Sequence, residues 1–306
     1  NIGDFPARAR GAYVTVGNFD GVHRGHQRLL ARLRAKADAA EVPALALTFD
    51  PHPVALLRPD KAPVPLVWPE REIDLLRQAG ATEVGVFHTG PWLLELSARE
   101  FFERVLRDQL AARGVVEGPN FAFGHDRQGN VSILRAWCGE AGIDFEVVEE
   151  TRIDDQLVSS SLIRQILGEG RVADATRFLG RPHRLRGVVA HGAGRGAGLG
   201  FPTLNLTGID VLIPADGVYA ARAWIEGRGP AWAAACNIGP NPTFGEQARK
   251  VEAHLIGFAG DLYGRSVELD LVDRLRATRR FASREDLLEQ VRADVDQTRR
   301  LIESSP

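Results

Sequence analysis

The pattern of secondary structure changes once along the 306 residues, and this change constrains the fold more than any other feature. Up to about Gly180, apolar β-type runs such as Ala44 to Phe49 alternate with helical periodicity such as His26 to Ala40. Strands that alternate with helices predict right-handed βαβ units and a doubly wound parallel sheet. From Arg184 onward, β-type runs follow one another until helical spacing returns after Ser283. Such a succession of short strands predicts a small antiparallel barrel with a terminal helix.

The chain is therefore predicted to be an α/β protein with two domains. Residues 1–182 form an N-terminal doubly wound parallel-sheet domain, and residues 183–306 form a C-terminal small antiparallel β-barrel with a terminal helix. A length of 306 residues agrees with two domains. The sequence contains no methionine, so we expect that its initiator end has been removed.

Composition narrows the class of protein. Lysine and arginine number 38 and aspartate and glutamate 40, and this balance lacks the basic excess of most nucleic-acid binders. No apolar run approaches the ~20 residues of a membrane helix. We therefore expect neither a nucleic-acid nor a membrane partner. The two cysteines, Cys138 and Cys236, have no metal-site spacing and no disulfide framework, which favours a reducing compartment and a cytoplasmic location. The sequence leaves the oligomeric state open.

The first segment that indicates chemistry joins the first strand to the first helix and runs from Gly17 to His26. A helix that follows a strand in such a sheet presents free N–H groups, which favour phosphate. His23 and His26 are three residues apart, so both can face the same side of the first turn, and Gly25 leaves room for phosphate between them. Two imidazoles there can stabilise charge on an α-phosphate. A single histidine would usually have no function, and a zinc site lacks a third ligand.

A second segment, Val158 to Arg164, opens another helix. The hydroxyls of Ser160 and Ser161 and the first N–H groups of this helix could hold the β- and γ-phosphates of a nucleotide, with Arg164 as a charged clamp. The alternative is an ordinary helix N-cap, since serine is a favoured cap residue.

These two segments resemble the nucleotidyl transferase superfamily that carries a His-x-Gly-His signature. Thr48 to Pro53 and Asn120 to Gly124 narrow the resemblance to the flavin-adenylylating module of bacterial bifunctional riboflavin kinase/FAD synthetases. The resemblance implies catalytic roles for His23, His26 and Arg164. It implies ATP binding by Gly17, Asn18, Phe19, Asp20, Gly25, Ser160 and Ser161, and flavin binding by Asn120 and Phe123. Plain core packing is the alternative for Phe123, and Ala122 stands where the family often carries arginine.

The third segment, Gly192 to Gly200, is rich in glycine and could wrap a phosphate chain, although a hairpin tip would look the same. Phe201 to Asn205 then resembles the Pro-Thr-Ala-Asn motif of riboflavin kinases, and Val251 to His254 matches a further segment of that family. The resemblance implies that Glu252 is the catalytic base. The implied ATP contacts are Gly192, Gly194, Arg195, Gly196 and Gly200, and the implied magnesium ligands are Thr203 and Asn205, whose oxygens suit Mg²⁺. Ala197 replaces a basic residue common in the loop.

The resemblance covers nearly the whole chain and implies two consecutive reactions. The barrel would phosphorylate riboflavin to FMN, and the N-terminal domain would adenylylate FMN to FAD with release of pyrophosphate. Both steps would use ATP as co-substrate and Mg²⁺ as cofactor. Two alternatives stay open. Only one domain could be active, because of Ala122 or Ala197, or the chain could bind flavin without turnover. The intact set of catalytic residues argues against the second.

Overall fold

The computed structural model describes residues 5–192, 200–240 and 248–304. The chain divides into two compact units. The first comprises Asn1–Pro63 and Trp68–Ser159, and the second comprises Val64–Val67 and Ser160–Pro306. This division by packing differs from the predicted boundary at 182/183, because the helices that precede the barrel are grouped with it. The backbone N–H of Ala215, for example, donates to the carbonyl of Leu167 at 3.1 Å.

The first unit is built on a parallel sheet whose described strands have the order β3-β2-β1-β4-β7. The strands of this unit are β1 (Tyr13–Val16), β2 (Ala44–Asp50), β3 (Glu83–His88), β4 (Gly114–Glu117), β5 (Ala122–Phe123), β6 (Gly129–Asn130), β7 (Asp144–Val147), β8 (Arg152–Ile153) and β9 (Gln156–Leu157). Its α-helices are α1 (Arg24–Ala39), α2 (Pro53–Leu57), α3 (Pro69–Gln78), α4 (Pro91–Leu94), α5 (Ala98–Glu100) and α6 (Val131–Ala141). The pairs β5-β6 and β8-β9 form small hairpins.

The strand order confirms the predicted doubly wound sheet. The chain moves outward from β1 to β2 and β3 and then returns to place β4 and β7 on the other side of β1. The order therefore reverses between β1 and β4, and ligands of such sheets bind in the crevice at that point, beyond the carboxyl ends of the strands. Val14, Val16, Leu45 and Leu47 are buried and contribute to the hydrophobic core on the sheet.

The sequence from Ser97 to Leu110 has the spacing of a helix that begins with a capping box of Ser97 and Glu100, but the segment is not one continuous α-helix. It begins with the predicted capping box, in which the Ser97 hydroxyl accepts the Glu100 N–H at 3.2 Å and the Glu100 carboxylate accepts the Ser97 N–H at 2.9 Å. After α5, however, the helix continues as a π-helix over Phe101–Gln109. The wider turn still buries Phe101, Val105 and Leu106, so the apolar stripe that predicted a helix is retained.

The second unit is a closed antiparallel barrel with helices, as predicted. The described barrel strands have the order β10-β11-β14-β13-β12-β15. They are β10 (His183–Ala190), β11 (Leu204–Thr207), β12 (Gly217–Ile225), β13 (Arg228–Gly239), β14 (Lys250–Leu255) and β15 (Ser266–Arg276). The helices are α7 (Ser160–Gly168), α8 (Val172–Leu179) and the C-terminal α9 (Arg284–Ser304). Arg276 of β15 donates to the buried carboxylate of Asp294 at 2.8 Å and so ties α9 to the barrel.

Two candidate active sites

The two histidines of the first unit form a stacked pair at the start of α1. His23 is the N-cap residue, and its Nδ1 accepts the backbone N–H of His26 at 3.3 Å. The imidazole rings lie 3.6 Å apart between centroids and are nearly parallel, with 19° between their planes. The spacing of three residues therefore places both rings on one side of the first turn, as the sequence predicts.

Burial controls the charge of this pair. Burial, with a smaller contribution from the neighbouring His23, lowers the pKa of His26 well below its usual value. His26 is therefore neutral at neutral pH. Its Nδ1 is buried and has no hydrogen-bond partner among the described residues. A negatively charged phosphate that approaches the pair would favour the protonated form and would supply the partner that the ring lacks.

The segment between β1 and α1 is tightly packed around the histidines. The N–H of Gly17 donates to the carbonyl of Leu47 on β2 at 3.0 Å, which fixes the point where the segment leaves the sheet. The buried ring of Phe19 meets His26 edge-on at 5.2 Å, so Phe19 forms a wall of the site. Asn18 is exposed, and Asp20 is buried. Val22 adopts φ +36°, which is rare for a β-branched residue and indicates a strained backbone next to the histidine pair.

A partly buried carboxyl that the sequence analysis missed lies close to this segment. Thr48, at the carboxyl end of β2, donates its hydroxyl hydrogen to Oε1 of Glu72 on α3 at 2.6 Å. Burial is the main cause that raises the pKa of Glu72 to about 7; the hydrogen bond from Thr48 opposes the rise, and the nearby carboxylates of Asp20 and Asp50 add to it. Only the packing of α3 brings Glu72 to the segment, so no local motif could have identified it.

The two predicted flavin contacts have different environments. Asn120 is exposed and donates from Nδ2 to the Glu150 carboxylate at 2.6 Å. Phe123 is buried in an aromatic cluster, where its ring stacks on Phe121 at 5.4 Å and lies 5.7 Å from Phe101. Phe123 thus packs in the core, and its contact with the flavin stays a prediction; Phe121 is only partly buried.

The serine and arginine segment lies at the start of α7. Ser160 and Ser161 occupy its first turn, and Nε of Arg164 donates to the carbonyl of Val64 at 2.9 Å. These residues belong to the second compact unit and the histidines to the first. Their participation in one site stays a prediction.

In the barrel, strand register brings together two of the predicted kinase residues. Asn205 of β11 is directly opposite Glu252 of β14, and Glu252 is in turn opposite Asn237 of β13. The neighbours Val251 and Ala253 are buried inside the barrel, so Glu252 faces outward, as the alternation of β14 predicts. The sequence gives Asn237 no role in the site, because its position opposite Glu252 depends on the register of β13.

Two contacts place the ends of the predicted kinase motif beside Glu252. A Cβ atom on Gly192 would lie 2.0 Å from Nδ2 of Asn205, so the start of the glycine segment lies directly against that amide. His254, on the same face of β14 as Glu252, lies with Nδ1 2.8 Å from the carbonyl of Pro202, to which its ring N–H donates. This bond holds the extended segment that contains the exposed Thr203.

Some of the predicted ATP contacts cannot be placed. Gly200 adopts φ +82°, a left-handed conformation that favours glycine, where the chain enters β11. Gly194, Arg195, Gly196 and the substituted Ala197 lie outside the described residues.

Both halves of the chain match known protein families. Residues 5–162 match the family model of FAD synthetase, and residues 179–302 match that of riboflavin kinase. A bifunctional riboflavin kinase/FMN adenylyltransferase of Pseudomonas fluorescens is 38% identical over 95% of this chain and 93% of the relative. The proteins of the same name from Escherichia coli K12 and Haemophilus influenzae are 33% and 34% identical over 94% of this chain, and cover 92% and 93% of those relatives.

A solved structure shares the fold over nearly the full length. It is titled as a macrolide-efflux protein from Streptococcus pneumoniae, and it superimposes with a TM-score of 0.84 at 28% identity, covering 97% of this chain and 96% of that one. Within the described residues, no helix of this chain combines the length and the apolar character that crossing a membrane would require.

The matches to both halves support the bifunctional interpretation over a single active domain or a flavin-binding protein without turnover. The chain therefore belongs to the family of bifunctional riboflavin kinase/FMN adenylyltransferases, the enzymes that phosphorylate riboflavin to FMN and adenylylate FMN to FAD.

Proposed function

We propose that each unit binds its own ATP and that the two reactions are divided between the stacked histidines of the first unit and Glu252 of the barrel. The observation that carries this assignment is the register of β11 and β14, which sets Asn205 opposite Glu252 beside Gly192. Transfer of a phosphoryl group from a nucleotide requires a carboxylate, an amide oxygen and a backbone that lies close to both of them.

In the barrel, Glu252 accepts the proton of the primary alcohol of riboflavin. The alcohol oxygen attacks the γ-phosphorus of ATP, and ADP leaves. Thr203 and Asn205 would hold Mg²⁺ through hard oxygen ligands, a donor set that suits this ion. The ion, when bound, neutralises charge on the phosphates. The contact of His254 with Pro202 positions the Thr203 segment. Gly192 and Gly200, together with Gly194, Arg195 and Gly196, would contact the phosphate chain.

Glu252 is a better candidate for the base than Glu268, the next carboxylate to consider. The Glu268 carboxylate accepts from Nη1 of Arg184 at 2.8 Å, and Arg184 also forms an ion pair with Asp270. Arg184 in addition lies over the ring of Trp224 at 4.2 Å. A carboxylate engaged in such a partly buried network is held in place by arginine and is poorly suited to accept a proton.

In the first unit, a phosphate oxygen of FMN attacks the α-phosphorus of ATP, and pyrophosphate leaves. His23, His26 and the N-terminus of α1 stabilise the charge that develops on the α-phosphate. We assign ATP binding in the first unit to Gly17, Asn18, Phe19, Asp20 and Gly25. Ser160, Ser161 and Arg164, at the start of α7, stay candidates for phosphate binding. For the flavin we propose Asn120 and Phe123, with the partly buried ring of Phe121 stacked on Phe123.

The location and the domain limits complete the proposal. Both cysteines, Cys138 and Cys236, are buried and free, which agrees with a reducing compartment and a cytoplasmic enzyme. We propose residues 1–182 as the adenylyltransferase domain and residues 183–306 as the kinase domain, since the family matches span 5–162 and 179–302. By packing, α7 and α8 are grouped with the barrel.

The substitution Glu252→Gln tests the assignment in the barrel. It keeps the shape of the side chain and removes the base, so the kcat of riboflavin phosphorylation should fall by roughly 10²–10⁴-fold. FAD formation from supplied FMN should stay unchanged. Glu226→Gln is a matched control, because this exposed carboxylate of the described barrel forms an ion pair with Arg265. A Glu252→Gln enzyme that phosphorylates riboflavin at the wild-type rate would show that another group is the base.

A further inference from the structure

Glu117 is a buried carboxyl for which neither the motifs nor the proposed mechanism gives a role. It is the last residue of β4 and is 2% exposed. Burial raises the pKa of its carboxyl well above the usual value, against the effect of the hydrogen bond from Val16. Burying an ionisable group costs free energy, which an apolar side chain at the end of a core strand would avoid. The position of the carboxyl indicates what it does instead.

The carboxyl replaces a main-chain acceptor where the sheet splits. The central strand β1 pairs with β2 along its whole length, from Tyr13 to Val16. With β4 it pairs only at Tyr13 and Val14, although β4 itself continues to pair with β7 as far as Glu117. The N–H groups of Tyr13 and Gly17 donate towards β2, so the N–H of Val16 points to the β4 side. There it donates to Oε1 of Glu117 at 2.7 Å.

We propose that Glu117 is a positioning residue of the adenylyl-transfer site, because its carboxyl ends the pairing of β1 with β4 and holds open the crevice between their carboxyl ends. This crevice is the point where the strand order reverses, and the segment with the two histidines starts there. The carboxyl satisfies the Val16 N–H that a strand separation would otherwise leave buried without a partner.

Two hydrogen bonds, one on each side of β1, fix the place where the segment that leads to the two histidines leaves the sheet. Gly17 is bound to Leu47 of β2, and the preceding Val16 is bound to Glu117. The path from Gly17 to the stacked histidines is therefore anchored across the crevice. Gly118, which follows Glu117, has open space around it, since a Cβ atom there would meet nothing within 4 Å. The end of β4 thus borders free volume, as a crevice that admits ligand requires.

Two substitutions separate the role of Glu117 as a hydrogen-bond acceptor from its role as an ionisable group. Glu117→Gln keeps an oxygen that can accept the Val16 N–H, so FAD formation should stay within about threefold of wild type. Glu117→Leu keeps the volume but removes the acceptor and favours closure of the strands, so kcat/KM for FAD formation should fall by about 100-fold, as misplaced catalytic groups do. Riboflavin phosphorylation by the same samples is the internal control and should not change. The melting temperature of Glu117→Leu should stay close to that of wild type, because the cost of burying an ionisable group is removed while the acceptor of the Val16 N–H is lost.

The inference rests on the assignment of FAD formation to the histidine pair, so His26→Ala is measured in parallel. Loss of FAD formation in His26→Ala with wild-type rates in Glu117→Leu would refute the role of Glu117 alone. Unchanged FAD formation in His26→Ala would refute the site itself. If Glu117→Leu does not fold, Glu117→Asp decides, because it keeps the charge but shortens the reach. An active Asp variant, or a Gln variant that loses FAD formation, would overturn the proposal.

Discussion

Replacing Gly25 by alanine separates the stability of α1 from catalysis at the histidine pair. Gly25 is the second residue of α1, and a Cβ atom there would lie 3.1 Å from Cε1 and 3.2 Å from Nδ1 of His23. These distances are shorter than ordinary contacts, so the imidazole ring must move by a few tenths of an ångström. The displaced Nδ1 also carries the cap to the N–H of His26, which is already long at 3.3 Å.

The expected change in stability is small, because two effects oppose each other. Alanine favours the helix over glycine by up to about 1 kcal/mol. A weakened N-cap costs about 1 kcal/mol. The free energy of unfolding should therefore change by less than about 1 kcal/mol. Catalysis has no such compensation, since a displacement of ~1 Å can cost about 100-fold. For a few tenths of an ångström we expect a decrease of about tenfold in the kcat of FAD formation.

The assay measures FAD formed from FMN and ATP by chromatography, together with the melting temperature and the rate of riboflavin phosphorylation. Gly139→Ala is the matched control, because Gly139 lies on α6 and a Cβ atom there meets nothing within 4 Å. It should leave FAD formation unchanged. Wild-type kcat in Gly25→Ala would refute the reasoning, since the ring position would then not matter. An equal loss of FAD formation in Gly139→Ala would also refute the reasoning.

Three further predictions follow from the described contacts. His26→Ala should abolish FAD formation and leave riboflavin phosphorylation nearly intact, and loss of both activities in a folded variant would contradict the assignment to separate sites. Asn205→Ala should raise the KM for Mg-ATP in the kinase reaction, while a rise in the riboflavin KM alone would contradict a ligand role. Glu72 has its pKa raised from 4.5 to about 7, so its burial penalty is absent below pH 4.5 and grows as pH rises to 7. Glu72→Gln should therefore remove a loss of stability of at most about 3 kcal/mol between pH 5 and pH 8 in urea unfolding, and an unchanged pH dependence would show that Glu72 does not cause it.

Those parts of the sites that depend on local spacing could be predicted from the sequence. His23 and His26 stack because residues three apart share a side of a helical turn. Glu252 faces away from the barrel interior because alternate residues of a strand face opposite sides, and Val251 and Ala253 are apolar. The change from alternating strands and helices to successive strands likewise predicted the parallel sheet of the first unit and the barrel of the second.

Those parts that depend on long-range packing could not be predicted. Asn237 joins Glu252 only through the register of β13 with β14, and Glu72 reaches Thr48 only through the packing of α3. In the sequence, Glu117 stands at the end of an apolar strand. Its role depends on the place where β1 and β4 stop pairing, which the sequence does not indicate. The apolar stripe of Phe101–Gln109 predicts a helix but does not distinguish a π-helix from an α-helix, since both bury the same residues.

Complementation between two variants tests the division of the reactions most directly. His26→Ala and Glu252→Gln are each incubated with riboflavin and Mg-ATP, alone and mixed, and the flavins are separated by chromatography. The account predicts that His26→Ala accumulates FMN, that Glu252→Gln leaves riboflavin almost unconverted, and that the mixture forms FAD. A Glu252→Gln enzyme that forms FAD from riboflavin alone, or a mixture of folded variants that accumulates FMN without FAD, would contradict two separate sites.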